Sequence, residues 1–208
     1  MNNSDSFSGD SAPPATDAVG QAFETVIGTL NERQIRYALI GGLALLQHAR
    51  TRTTEDVDIM LTAPQIALPG LFEALQARGC TIDLYKNLRE LRDDGYTAIA
   101  FRGVIIDLMT PLVEAYRHVL DRAQPVRISN FDVRVATAEG LIVMKLMAMR
   151  PQDQADIRDL LLAQFGRLDL DYIRAEIDTF APDDDPRRAT FEDWVREFGE
   201  TTRQSDAS

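Results

Sequence analysis

Hydrophobic residues recur at two different spacings along the chain, and together the spacings predict a mixed fold. Phe23, Val26 and Leu30 lie three or four positions apart, which is the pattern of an amphipathic helix. Residues 96–101 and 104–109 are short apolar runs joined by two turn residues, and they predict strands. The predicted helices span 19–33, 43–48, 64–78, 111–122, 137–149, 152–165, 169–179 and 188–198. The predicted strands span 37–40, 56–61, 80–85, 96–101, 104–109 and two short segments within 125–135.

The order of these elements changes near residue 135. Strands alternate with helices before that point, whereas only helices are predicted after it. We therefore predict a sheet-based core at 19–135 and a C-terminal helical region at 136–200 that packs on it. The polar segments 1–18 and 201–208 are predicted to be disordered tails.

Composition narrows the range of functions. The chain has 22 Lys and Arg against 33 Asp and Glu, a formal net charge of −11, which argues against a general DNA-coating protein. One cysteine, Cys80, and two histidines cannot form a Cys- or His-rich metal site. Any metal ligands are therefore expected to be mostly carboxylates, which bind hard cations.

Targeting signals are missing from the printed sequence. No Lys or Arg precedes Arg33, and the longest uncharged apolar stretch, residues 37–49, is shorter than a membrane span. These features predict a soluble, cytoplasmic protein without a membrane partner.

A glycine pair and an Asp-x-Asp sequence carry the clearest chemical signal. Gly41-Gly42 lies between a predicted strand and a predicted helix, where a phosphate can approach the backbone amides. Asp56 and Asp58 are two positions apart in a strand, so both carboxylates point to the same side. A divalent cation such as Mg²⁺ between them would offset their repulsion.

A third acid fits the same chemistry. Asp107 is the one charge in the apolar run 104–109, and a carboxylate there is costly unless it is paired or binds a metal. The alternative for all three acids is structural: solvated strand ends, or a salt bridge in the case of Asp107.

This arrangement resembles the DNA polymerase β-like nucleotidyltransferase superfamily, which has a Gly-Gly turn, a short helix, Asp-x-Asp on the next strand and a later Asp. The segments GGLAL, RTTEDVDIML and ATAEGLIVMKLMAMRPQDQADIRDLL look most like the AbiEii/AbiGii-type toxins of type IV toxin–antitoxin systems. The resemblance covers about residues 22–165. It implies an α+β fold, with a nucleotidyltransferase-type mixed sheet flanked by helices and followed by a C-terminal helical bundle.

The resemblance also implies roles for individual residues. Asp56 and Asp58 would be metal ligands, and Asp107 would be the third carboxylate, which activates the attacking hydroxyl. Gly41 and Gly42 would hold the nucleotide phosphates, although the serine that many superfamily members have in this turn is missing. The implied cofactor is Mg²⁺ or Mn²⁺, the implied substrate is an NTP, and the implied partners are a tRNA 3′ end and a cognate antitoxin.

Lys145 is a further candidate because the chain contains 20 Arg but only two Lys. It lies in the apolar run 141–147, where a compact ammonium instead of a guanidinium suggests a specific use. It could contact a nucleotide phosphate or pair with an acid on the next helix. Alternatively, its stem packs on the core and its charge reaches solvent.

The remaining candidates rest on their position near these motifs. Asp153 could favour the start of its helix through the helix dipole, whereas the resemblance places Asp153 or Asp156 near the active site. Arg50, Arg52 and Arg150 could bind the triphosphate or an RNA backbone, and the Thr54 hydroxyl could contact a phosphate of the nucleotide.

These residues together predict transfer of NMP from an NTP to an acceptor hydroxyl, with RNA as the implied acceptor. Because the chain is acidic, RNA binding would need a local basic patch. The candidates for this patch are Arg50, Arg52, Arg89, Arg92 and Arg150. Two alternatives stay open: transfer to a small molecule such as an aminoglycoside, and a catalytically silent protein of the same fold that binds a partner.

Overall fold

The computed structural model describes residues 15–49, 54–128 and 130–206, with side chains described between residues 18 and 200. A mixed sheet runs through this part of the chain, and its seven strands are ordered β3-β4-β5-β2-β1-β7-β6. The strands are β1 (Arg36–Leu39), β2 (Val57–Thr62), β3 (Cys80–Thr81), β4 (Tyr96–Phe101), β5 (Val104–Met109), β6 (Gln124–Ile128) and β7 (Phe131–Val135).

The two central strands β2 and β5 run parallel, and each has a buried face and a more open face. Val104, Ile106 and Leu108 of β5 are buried, whereas Ile105 is exposed and Asp107 is half-buried. Alternate residues of a strand point to opposite faces, so Asp107 lies on the open face. Its position opposite Asp58 in the register places both acids on that face.

Helices cover the sheet and continue beyond it. Apart from the strand at 80–85, the predicted helices and strands are present, most of them with shifted ends. The helix at 64–78 begins four residues later, after a short 3₁₀ turn at Gln65–Ala67. The helices are α1 (Ala15–Glu32), α2 (Gly41–Leu45), α3 (Leu68–Ala77), α4 (Leu84–Asp93), α5 (Glu114–Arg122), α6 (Ala138–Ala148), α7 (Pro151–Gln164), α8 (Leu170–Phe180) and α9 (Pro186–Asp206).

The predicted strand at 80–85 is wrong for most of its length, because only Cys80–Thr81 pairs with β4. The chain then enters α4, which the sequence analysis missed. The Asp83 carboxylate accepts a hydrogen bond from the Lys86 amide at 3.0 Å and thereby caps the helix.

The fold class is confirmed as a mixed sheet flanked by helices, and four helices follow it after residue 137. At the ends of the chain, residues 15–18 of the predicted N-terminal tail and 201–206 of the C-terminal tail are helical. No helix in the described part of the chain is long and apolar enough to cross a membrane.

Candidate active site

Two of the predicted acids lie side by side at the centre of the sheet. Asp58 of β2 and Asp107 of β5 are direct register partners on neighbouring strands, which are about 4.8 Å apart in a sheet. Asp56 immediately precedes β2. Burial, together with the charges of Asp107 and Asp56, raises the pKa of Asp58 to about 6. Burial and the neighbouring carboxylates therefore both disfavour the charged form of Asp58 in the protein alone.

The glycine pair is shaped to fit around this acid. Gly41 has a φ of +62°, and a Cβ atom built on it would lie 2.0 Å from the Asp58 Oδ2 atom. A Cβ on Gly42 would lie 2.6 Å from the Cβ of Thr54. The Gly42 amide donates a hydrogen bond to the Asp58 carboxylate, which opposes the rise in the Asp58 pKa. Both positions must therefore be glycine because Asp58 and Thr54 occupy the space that a side chain would need. The sequence alone did not reveal this reason.

The site also contains a tyrosine that the sequence analysis missed. Tyr96 of β4 donates a hydrogen bond from its hydroxyl to the Asp107 Oδ1 atom at 2.7 Å. This hydrogen bond, with a smaller effect from burial, raises the pKa of Tyr96 to about 12. Only the strand register places Tyr96 beside Asp107, so no local sequence pattern marks it.

Cations face the acids from the helical region. The Lys145 Nζ atom lies 2.6 Å from Asp156 Oδ2 and 3.4 Å from Asp153 Oδ1. Of its two predicted uses, pairing with an acid of the next helix is therefore present. Arg150 holds Asp153 through its amide and its guanidinium, at 3.1 and 2.6 Å, while its own side chain stays 75% exposed.

Asp153 and Asp156 differ in what holds them. Burial by itself would raise the Asp153 pKa, but the hydrogen bond from Arg150 and the charges of Lys145 and Arg150 outweigh burial and lower it. Asp156 is 3% exposed and contacts Lys145. Asp153 lines the cavity described next, whereas Asp156 is absent from its described lining and lies behind Lys145.

These groups surround one cavity of about 390 Å³ between the open face of the sheet and the helices α5, α6 and α7. Acids line the sheet side of the cavity and cations line its helix side. This arrangement suits a metal-bound polyphosphate, because the acids can bind the metal ion and the cations can bind the phosphates. Its described lining includes Gly41, Asp58, Tyr96, Asp107, Tyr116, Lys145, Arg150 and Asp153.

A larger cavity of about 1040 Å³ lies beside it, between α1, α2 and the start of β5. It reaches the predicted site through Thr54 and Asp56. The described part of its lining does not include Lys145 or Arg150, so the smaller cavity is the better candidate for the reaction.

Of the arginines predicted to form a basic patch, only Arg150 is among the described residues that line the smaller cavity. Arg50 and Arg52 fall outside the described residues. Arg89 and Arg92 lie on α4, whose Asn87 and Glu90 contact Thr97, on the face of the sheet opposite to Asp107. They are thus kept apart from the acids, and the predicted basic patch with Arg150 does not form through them.

The acids fit a hard divalent cation in their chemistry, although they do not form a closed cage. Among the described residues, no group of three His, Cys, Asp or Glu side chains is close enough to hold a metal ion by itself. Asp58 and its register partner Asp107 nevertheless offer carboxylate oxygens on neighbouring strands. Mg²⁺ commonly binds through one or two carboxylates plus substrate phosphates, and two acids satisfy that need.

Sequence comparison now identifies the family. The model of a family described as "Nucleotidyltransferase of unknown function (DUF6036)" matches residues 18–203. The chain belongs to this nucleotidyltransferase family. The protein is therefore an enzyme that acts on an NTP, and nucleotidyltransferases generally also use a divalent metal ion. The match confirms the predicted nucleotidyltransferase and leaves the narrower AbiEii/AbiGii toxin type as a prediction.

Solved structures resemble this nucleotidyltransferase in fold. The solution structure of the antibiotic-resistance factor ANT(2″)-Ia has a TM-score of 0.52 and 18% identity, over 88% of this chain and 99% of that chain. The crystal structure of an antigenic nucleotidyltransferase-like protein from Paracoccidioides brasiliensis has a TM-score of 0.49 and 14% identity, over 89% and 95% of the two chains. No functionally curated protein matches the chain in sequence.

Proposed function

We propose that the protein transfers NMP from an NTP to an acceptor hydroxyl, with Mg²⁺ or Mn²⁺ as cofactor, in the cavity between the sheet and α6–α7. The observation that supports this most is the pairing of Asp58 and Asp107 on adjacent parallel strands, opposite Lys145 and Arg150. Excess negative charge on one wall would hold the metal, and the cations on the other wall would hold the triphosphate.

Each residue then has a defined task. Asp58 and Asp107, which line the cavity, would hold the metal ion together with the substrate phosphates, and Asp56 would join them as a ligand once the ion is bound. Asp107 would also accept the proton of the attacking hydroxyl. When bound, the ion would supply positive charge at the reacting phosphate and at the leaving pyrophosphate. Asp58 is held for this task by the Gly42 amide and by the close packing of Gly41.

The nucleotide would be held mainly from the helical side. Arg150 is the more exposed of the two cavity cations, and Asp153 holds its Nε and Nη2 atoms so that the guanidinium has a fixed position from which to meet a phosphate. Lys145 would present its ammonium to the cavity from a position set by Asp156, which makes Asp156 a positioning residue. Gly41, Gly42, Thr54 and Arg52 complete the proposed nucleotide contacts.

The acceptor has two candidates. The resemblance to AbiEii/AbiGii-type toxins supports RNA, in particular a tRNA 3′ end, and with it a cognate antitoxin as partner. The charge of −11 and the position of Arg89 and Arg92 behind the sheet favour the second candidate, a small cationic molecule with a free hydroxyl. ANT(2″)-Ia has been crystallised in complex with adenylyl-2″-tobramycin, an aminoglycoside that carries an adenylyl group.

Transfer to each acceptor class can be measured directly. The protein is incubated with each α-labelled NTP and Mg²⁺, together with either total RNA or an aminoglycoside, and Asp58→Ala serves as the inactive control. Label in RNA supports the first candidate, and label in the small molecule supports the second. If neither acceptor gains more label with the wild-type protein than with Asp58→Ala, the proposed acceptors are wrong.

A further inference from the structure

The carboxylates of the cavity differ in how they are held in place. Asp58 accepts the Gly42 amide, and Asp153 accepts three hydrogen bonds from Arg150 as well as the Lys145 ammonium. Asp107 has no such support. Within the described part of the chain, its one side-chain hydrogen bond comes from the hydroxyl of Tyr96.

The strand register explains why this contact is available. Ala98 of β4 is the direct partner of Asp107, and Tyr96 lies two residues away on the same face. The small side chain of Ala98 leaves room for the tyrosine ring to lean towards β5. The hydroxyl then reaches the Oδ1 atom of Asp107 at 2.7 Å, which is a short and well-formed hydrogen bond to a charged acceptor.

The placement of Tyr96 argues against a purely structural role. Tyr96 is 49% exposed and lines the cavity together with Asp58 and Lys145. A side chain that is half in solvent adds little to the core, so the sheet does not need its hydroxyl. A carboxylate with one oxygen held by a donor can turn about its Cβ–Cγ bond less freely, and its second oxygen is then directed consistently.

We propose that Tyr96 is a positioning residue that fixes the Asp107 carboxylate, so that one oxygen is held by the phenol and the other is presented to the metal ion and the acceptor hydroxyl. The inference rests on the proposed function, because it requires Asp107 to serve the metal and the acceptor. Removing a group that orients a metal ligand typically lowers metal affinity or activity by about tenfold to a hundredfold. Tyr96→Phe keeps the ring and removes only the hydroxyl.

Metal binding provides a readout that does not depend on turnover. The Mn²⁺ dissociation constant is measured by calorimetry for wild type, Tyr96→Phe, Asp107→Asn and the double variant. Tyr85→Phe is the matched control, because Tyr85 is 90% exposed on α4, on the other face of the sheet. Circular dichroism and thermal unfolding in EDTA establish that all variants are folded.

We expect Tyr96→Phe to weaken Mn²⁺ binding about tenfold, while Tyr85→Phe leaves it unchanged. In the double variant, the loss should equal that of Asp107→Asn alone, since Tyr96 acts through Asp107. In transfer assays, Tyr96→Phe should lower kcat about tenfold with little change in the KM for the NTP.

The outcomes separate this inference from the proposed function. Unchanged Mn²⁺ affinity in Tyr96→Phe, or losses that multiply in the double variant, would overturn the positioning role even if wild type transfers nucleotide. The expected Mn²⁺ pattern in a protein that transfers no nucleotide would support the positioning role and contradict the proposed function. A wild-type protein that does not bind Mn²⁺ would overturn both.

Discussion

Gly41 lies so close to Asp58 that position 41 has no room for a side chain. A Cβ at Gly41 would lie within 2.0 Å of a carboxylate oxygen, and the φ of +62° already disfavours any other residue. The backbone that turns into α2 is therefore adjusted to Asp58. This contact links the glycine pair to the acids by packing, whereas the sequence analysis had linked them only through a shared phosphate.

Gly41→Ala should damage the site beyond its cost in backbone strain. A left-handed backbone costs a non-glycine residue about 1–2 kcal/mol. Gly103→Ala is the matched control, because Gly103 has a φ of +85° and no atom within 4 Å of the added Cβ. We expect Gly41→Ala to lower the melting temperature more than Gly103→Ala and to abolish nucleotide transfer, whereas Gly103→Ala keeps transfer. Equal melting temperatures together with full transfer by Gly41→Ala would show that Asp58 does not need this space.

The raised pKa of Asp58 predicts a pH effect of defined sign in the absence of metal. The folded-state value of about 6 lies above the ordinary value of 3.8. The contribution of this group to stability is therefore complete below about pH 4 and is lost as the pH rises through 6. Two pKa units correspond to at most about 3 kcal/mol.

Asp58→Asn removes this penalty and should melt several degrees higher than wild type at pH 7.5 in EDTA. At pH 4 the two proteins should melt at similar temperatures. Asp171→Asn, which changes a carboxylate that is 96% exposed on α8, controls for the loss of one negative charge. If Asp58→Asn melts lower than wild type at pH 7.5, protein donors satisfy the Asp58 charge and the proposed metal site loses its main support.

At the level of secondary structure, the sequence predicted most elements because their hydrophobic spacing is local. Strands β4 and β5 and the helices α6 to α8 lie within one or two residues of the prediction. The main error was α4, where the run from Cys80 to Tyr85 was interpreted as a strand. Leu84, Leu88 and Leu91 recur at helical spacing after the Asp83 cap, and this pattern could have identified the helix.

The site was less predictable than the fold, for a physical reason. Asp56, Asp58 and Asp107 stand out as charges at strand ends or within an apolar strand, so the sequence marks them. Tyr96 contributes through the pairing of β4 with β5, and that register cannot be read from either strand by itself. The position of Arg89 behind the sheet likewise depends on which face α4 covers.

Lys145 of α6 contacts Asp156 of α7 through a buried ion pair, so a substitution of Lys145 should change both the stability of the protein and its activity. Asp156 and Asp153 are 3% and 2% exposed, so Lys145→Met leaves buried acids without their ammonium. Removing one partner of a buried pair costs about 3–5 kcal/mol. We expect Lys145→Met to lower the melting temperature strongly and to abolish transfer.

A second substitution separates the two roles of Lys145. Lys145→Met with Asp156→Leu removes the buried pair and should recover much of the stability without restoring transfer. Arg196→Met is the control, since its pair with Asp193 is exposed and should contribute little. Recovery of transfer along with stability would show that Lys145 acts only in folding.

On the scale of the whole molecule, the protein is acidic, but the candidate site places two cations, Lys145 and Arg150, where an anionic substrate could bind. The net charge of −11 opposes the approach of a triphosphate. Lys145 and Arg150 are brought to the cavity by the helical region, whereas Asp58 and Asp107 belong to the sheet. The proposed nucleotide site therefore takes residues from both parts of the chain, and a bound cation would reduce the repulsion between substrate and acids.

We propose that the α-phosphate of an NTP is attacked at a metal site formed by Asp56, Asp58 and Asp107. The most direct measurement follows ATP, GTP, CTP and UTP labelled at either the α- or the γ-phosphate, with Mg²⁺ and the acceptor mixtures above, for wild type, Asp56→Ala and Asp58→Ala. We expect α-label on the acceptor and γ-label in pyrophosphate with wild type, and neither with the two variants, which should remain folded. Transfer of γ-label to the acceptor, or full α-label transfer by Asp58→Ala, would contradict the proposal.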